Sequence, residues 1–121
     1  MRMTIVKGKP FIADFVVKMN GSTNPLPLNI ADTGKITFYT NGVNPVKVLS
    51  EVPMTQQDAS NGKFRVSLTE EQTALFETKI GFPEDGYPVE PTYKALAEFN
   101  TVNQGYMMAE VTEIYVVDMG S

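Results

Sequence analysis

The 121-residue chain has no cysteine and no histidine. Without cysteine there is no disulfide, no thiolate nucleophile and no Cys-ligated zinc site. Without histidine, the usual general base near neutral pH and the commonest transition-metal ligand are both missing. A Ser-His-Asp triad therefore cannot be assembled around Ser22, Ser50, Ser60, Ser67 or Ser121. Basic clusters are missing too. Ten Lys and Arg residues are scattered singly against 14 Asp and Glu, for a formal charge of −4, which argues against nucleic acid as a partner because phosphate contacts need clustered cations. No apolar run approaches the roughly 18 residues of a membrane span, and residues 1–10 lack the apolar core of a signal peptide. There is no glycine-rich phosphate loop and no GxGxxG, so no nucleotide cofactor is expected. The expectation is a protein made in the cytoplasm, with no cofactor, no metal and no membrane partner.

What is present is an ordinary globular balance: 42% hydrophobic, 20% charged and 10% aromatic residues, in a length that makes one domain with a sizeable core. Alternation of period two dominates. Phe11, Ala13, Phe15, Val17 and Met19 share one face of a first clear strand, and residues 1–10 form either an N-terminal arm or a strand preceding it. Asn20-Gly21-Ser22 marks a turn, and Pro25 and Pro27 keep the next stretch extended, with Leu28 and Ile30 as anchors. Asp32-Thr33-Gly34 reads as a second turn. Lys35–Thr40 alternates with Ile36 and Phe38 inward and Tyr39 outward. Asn41-Gly42 signals a hairpin to Val46–Val52, which Pro53 closes, and Met54–Asn61 reads as a polar loop.

Asn61-Gly62 turns the chain into Lys63–Leu68, with Phe64, Val66 and Leu68 inward. Thr69-Glu70-Glu71-Gln72 fits a capping box opening a short helix to about Phe76. Gly81–Pro91, rich in proline and glycine, reads as an exposed loop. Tyr93–Asn100 is a further strand, turned by Asn103-Gln104-Gly105 into Tyr106–Asp118. In that last strand the apolar parity switches between Val111 and Ile114, which predicts a β-bulge near Thr112-Glu113. About seven short strands, with turns roughly every 8–12 residues and one helical turn, predict an all-β fold, an immunoglobulin-like β-sandwich spanning residues 11–118.

Chemistry-bearing groups are few. Asp14, Glu98, Glu110, Glu113 and Asp118 lie on predicted strands and read as solvated outer-face charges; two of them flanking a cleft would permit glycosidic chemistry. Glu84, Asp85 and Glu90 read as an acidic solvated loop and lack the regular spacing of a calcium loop. Tyrosine suits interfaces because it offers a large amphipathic area at low entropic cost. Tyr87 with Pro83 and Pro88, then Tyr39 and Tyr106, are the candidate partner contacts, and Tyr93 or Tyr106 would join Tyr87 in any aromatic platform for a glycan. Ile5 and Val6 are candidates if the arm adds a strand to a neighbour's sheet edge. Met107-Met108 offers an adaptable surface, with at least one of the two filling core. No residue is assigned a catalytic role.

The order of signals resembles a known family. Ala13-Asp14-Phe15-Val16-Val17 leads to Leu26-Pro27-Leu28-Asn29-Ile30-Ala31-Asp32 and Lys35-Ile36-Thr37-Phe38. These are followed by Asn61-Gly62-Lys63-Phe64-Arg65-Val66-Ser67-Leu68-Thr69, by Tyr93-Lys94-Ala95-Leu96-Ala97-Glu98-Phe99 and by Ile114-Tyr115-Val116-Val117. In this the chain is similar to the immunoglobulin-like modules of tailed-bacteriophage structural proteins, such as the N-terminal domain of upper baseplate proteins. Residues 28–32 match only loosely, and baseplate proteins continue into further domains. The resemblance implies a virion structural protein, a decoration or cementing subunit present in many copies, whose partners are the major capsid or tail protein. It brings no catalytic residues. A carbohydrate- or receptor-binding module is the alternative, and a carboxylate-pair enzyme the third.

Overall fold

The structure is a computed structural model, and it describes residues 2–77 and 93–117. Seven strands follow one another: β1 (Arg2–Val6), β2 (Phe11–Val16), β3 (Thr33–Thr40), β4 (Lys47–Asp58), β5 (Lys63–Leu68), β6 (Tyr93–Thr101) and β7 (Gly105–Val117). Their hydrogen-bonded order is β1-β7-β6-β3-β4-β5-β2. All neighbours are antiparallel except β1, which lies parallel to β7. The long β4 belongs to both halves: Lys47–Met54 pairs with β3, and Thr55–Asp58 with β5. The two halves close over each other, giving the strand order of an immunoglobulin-like sandwich that is nearly a barrel.

Alternation sets the core. Phe64, Val66 and Leu68 of β5, and Tyr93, Ala95, Ala97 and Phe99 of β6, are all buried. Phe99 packs its ring against Phe15 of β2 and Phe64 of β5, at centroid separations of 6.2 and 5.2 Å, which joins the sheets at one end. At the other end Phe76 stands edge-on to both Phe38 and Tyr93, at 5.4 and 4.9 Å. Phe76 arrives there from a single helical turn, α1 (Glu70–Thr73). Thr69 caps it through the Gln72 N–H, while the Gln72 side chain accepts from the Thr69 N–H. The Tyr93 hydroxyl accepts the Glu77 N–H and donates to the Glu77 carbonyl, fastening β6 to the segment that leaves α1. This resembles the tyrosine corner of such sandwiches.

Several expectations are corrected. Leu26, not Ile30, anchors the stretch before β3: Leu26 is buried, Leu28 is partly so, and Ile30 is 97% exposed. Met19 is exposed beyond the end of β2. Thr33 and Gly34 belong to β3, so the turn ends at Asp32. Gly34 sits there because a Cβ would meet the Phe99 ring at 3.0 Å and Met54 at 3.2 Å. The β3–β4 connection is a six-residue loop, 41–46, held at its neck by Thr40 and Val46. Pro53 does not end β4: the strand runs on through Asp58, and only Ala59–Asn61 forms a 3-10 turn. Pro53 is accommodated because this stretch of β4 pairs on one side only, with Lys35 opposite.

The bulge in β7 is where the parity switch places it. Tyr93 pairs with Ile114 and Ala95 with Val111, so Thr112 and Glu113 together oppose Lys94. The arm alternative resolves to a strand: Arg2–Val6 lies along β7 of its own chain, with Met3 and Ile5 buried. The loop read at Gly81–Pro91 lies outside the described residues, as does Asp118.

Candidate functional site

The outward surface of β3, β6 and β7 can be built row by row from the strand registers. Lys35 lies opposite Glu98 and Glu98 opposite Met108. One row along, Thr37 faces Leu96 and Leu96 faces Glu110. In the third row Tyr39 faces Lys94. Side chains in such rows touch across the sheet. The face is amphipathic, with Leu96 at its centre, Tyr39 and Met108 beside it, and charges of both signs around them.

Two polar contacts hold the first row. The Tyr106 hydroxyl donates to the Glu98 carboxylate at 2.8 Å, and Lys35 Nζ donates to the Glu51 carboxylate at 2.7 Å. The Glu98 hydrogen bond raises the Tyr106 phenol above its ordinary pKa, with desolvation adding to it. The Glu51 hydrogen bond raises Lys35, and the same contact lowers Glu51. Glu51 reaches Lys35 from a register break in β4, between the pairs Ile36–Val52 and Phe38–Leu49. Its φ of 52° is left-handed, a conformation that costs a non-glycine residue of order 1 kcal/mol. The Thr37 hydroxyl accepts the Glu51 N–H at 3.0 Å and so stabilises the break. Thr37 is thereby buried although it points to the outer face.

Beside Leu96 the surface dips into an open concavity of about 360 Å³, lined by Tyr39, Pro45, Lys94, Ala95, Leu96 and Glu110. The 41–46 loop supplies Pro45 and presents Val43 and Val46 to solvent. This is a shallow, open concavity with Leu96 and Pro45 as its apolar lining and Lys94 and Glu110 as its charges.

Of the tyrosines singled out in the sequence, Tyr39 and Tyr106 therefore share one face, though they stand three rows apart. Tyr93 does not join a platform: it is buried, and burial is the main cause that raises its phenol's pKa. Ile5 is a core residue with no surface to offer, and Val6 is half-buried beside β7. Tyr87, Pro83 and Pro88 lie outside the described residues, and so do Glu84, Asp85 and Glu90. Met107 packs partly against the core while Met108 is exposed.

Among the carboxylates, Asp14 accepts two hydrogen bonds from the Arg65 guanidinium, at 2.8 and 3.1 Å, which holds its carboxyl below its ordinary pKa. Leu96, Pro45 and Lys94 escaped the sequence reading. Leu96 lies on the polar parity of β6, and only the strand registers show that it centres a face.

No protein-family model matches the chain, and no curated protein matches it in sequence.

Proposed function

We propose that this chain is a structural and binding module that acts through protein contacts. In this reading it is a bacteriophage virion protein, a decoration or cementing subunit seated on the capsid or tail surface, and not an enzyme. The observation that carries the contact reading is the outer face of β3, β6 and β7. It is open, its centre is apolar at Leu96, and two of its polar side chains, Tyr106 and Lys35, are held by Glu98 and Glu51. Interfaces have this make-up, an apolar centre with a polar rim of low residual entropy. The virion assignment rests on the resemblance of the strand and turn order to phage modules.

The test is particle composition. Virions purified through a density gradient are analysed by quantitative mass spectrometry and by immunogold microscopy with antibodies to this chain. Many copies per particle and labelling of the capsid or tail surface are expected. A protein confined to the soluble fraction of the lysate contradicts the assignment.

The second reading, a glycan-binding adhesion module, is favoured by the concavity itself, where Tyr39 stands beside Lys94 and Glu110. It requires glycan-array binding that Tyr39→Ala abolishes. Silence across a broad array removes it.

A further inference from the structure

β7 is thirteen residues long, but its two edges are not equally covered. β6 pairs with it from Gly105 to Ile114, while β1 covers the opposite edge only from Glu113 to Val117. Among the described residues, the stretch from Gly105 to Thr112 therefore has one edge on which no strand lies. Open edges are ready templates for another strand, and proteins that stay monomeric blunt them with lysine, proline or an inward charge. Tyr106-Met107-Met108-Ala109-Glu110-Val111-Thr112 holds none of these and one charge, Glu110. Its side chains are also under-covered. Met108 is 64% exposed and Tyr106 54% exposed. Ala109, on the inward parity of buried Val111, is exposed as well, in a groove lined also by Val16, Val17, Lys18, Phe99 and Met107.

We infer that this edge pairs with the same edge of a second copy, antiparallel about a two-fold axis at Met108. Geometry bounds the register, and the longest overlap within that bound selects it. A two-fold perpendicular to the sheet keeps each residue on its own face, so the axis must pass through a residue and not between two. Arg2 occupies the place beside Glu113, and an axis at Ala109 or beyond would drive Gly105 of the second copy into it. An axis at Met108 places Met108 against Met108, Tyr106 against Glu110 of the second copy, and Met107 against its Ala109. The charge pattern is self-complementary in this register. Glu110 meets a phenol, not its own twin, and the apolar side chain lies on the axis. The free edge of β2 does not offer this, because Asp14, outward and near its centre, would fall on or beside the axis. The pairing extends β4-β3-β6-β7 into one continuous sheet with both concavities on the same face. It does not depend on the virion assignment.

Sedimentation equilibrium of the full chain tests it, with Met108→Lys, Met108→Glu and an equimolar mixture of the two. Wild type is expected to show a concentration-dependent monomer–dimer equilibrium. Each variant alone should dimerise at least about tenfold more weakly, because like charges meet on the axis. The mixture should restore dimer by pairing Lys with Glu. At concentrations where wild type is monomeric, thermal midpoints should match wild type, since Met108 is solvent-facing in the single chain. A wild-type chain that stays monomeric at millimolar concentration overturns the inference, whether or not some other strand binds there. So do variants that dimerise like wild type, or a mixture that fails to recover.

Discussion

Asp32 is a buried charged residue whose side chain joins two turns distant in sequence. It is 4% exposed, and its carboxylate accepts the N–H groups of Asn29 and Val102, while the Gln56 amide donates to the carbonyls of Asn29 and Asp32. One side chain thus ties the turn before β3 to the β6–β7 turn. Asp32→Ala would strand two N–H groups, each worth about 1–3 kcal/mol when unsatisfied. We expect a loss of about 2 kcal/mol or more in urea unfolding, with little recovery in Asp32→Asn. The sequence shows Asp32 only as a turn former, because its partner at Val102 lies 70 residues away.

Tyr93 makes a second such crossing. Its phenol has a raised pKa in the folded state, so its contribution is complete below the ordinary phenol range near 10 and is lost as pH rises through the folded value. Tyr93→Phe should be less stable at neutral pH, and its stability should fall less steeply than wild type above pH ~10. Equilibrium unfolding across that range checks both.

At the level of elements, what is local was legible and what is long-range was not. The alternation of Lys63–Leu68, the capping box at Thr69 and Gln72 and the bulge at Thr112-Glu113 are written in adjacent residues, and each forms where it was read. Thr69→Ala should cost about 1 kcal/mol, the ordinary value of an N-cap, and should loosen Phe76. Ile30 against Leu26, and β4 running through Pro53, turn on which neighbour lies alongside, and periodicity does not carry that.

Gly62 belongs with the legible features for a reason the sequence hides. Its φ is +68°, and a Cβ there would sit 2.6 Å from the Val17 carbonyl and 2.7 Å from that of Leu26. We expect Gly62→Ala to destabilise by at least about 2 kcal/mol, from left-handed strain plus backbone displacement, seen as a lowered urea midpoint. Gly21→Ala, also at positive φ but with open space around its Cβ, should cost less. That comparison separates crowding from strain.

At the scale of the whole molecule, strand order was not written in the chain. Seven alternating segments are compatible with many pairings, and it is the pairing that brings Tyr39, Leu96, Lys94 and Glu110 to one face. The sequence pointed to Tyr39 and Tyr106 by residue type alone and passed over Leu96, which sits on the polar parity of its strand. The pairing also joins Asp14 to Arg65 across β2 and β5. Because the folded Asp14 pKa is lowered, the pair's contribution is full above the ordinary carboxylate value near 3.8 and is lost as pH falls through the folded value. Asp14→Asn should therefore flatten acid unfolding below about pH 4, as followed by circular dichroism.

The reading of the outer face as the contact surface is tested most directly by co-sedimentation. On the proposed virion reading, particles prepared without this chain are spun with added wild-type protein or with Leu96→Arg, which places a charge at the apolar centre of the face. Wild type is expected in the pellet at a saturable ratio, and Leu96→Arg, with unchanged circular dichroism and melting, in the supernatant. A folded Leu96→Arg chain that pellets as well as wild type would contradict the account.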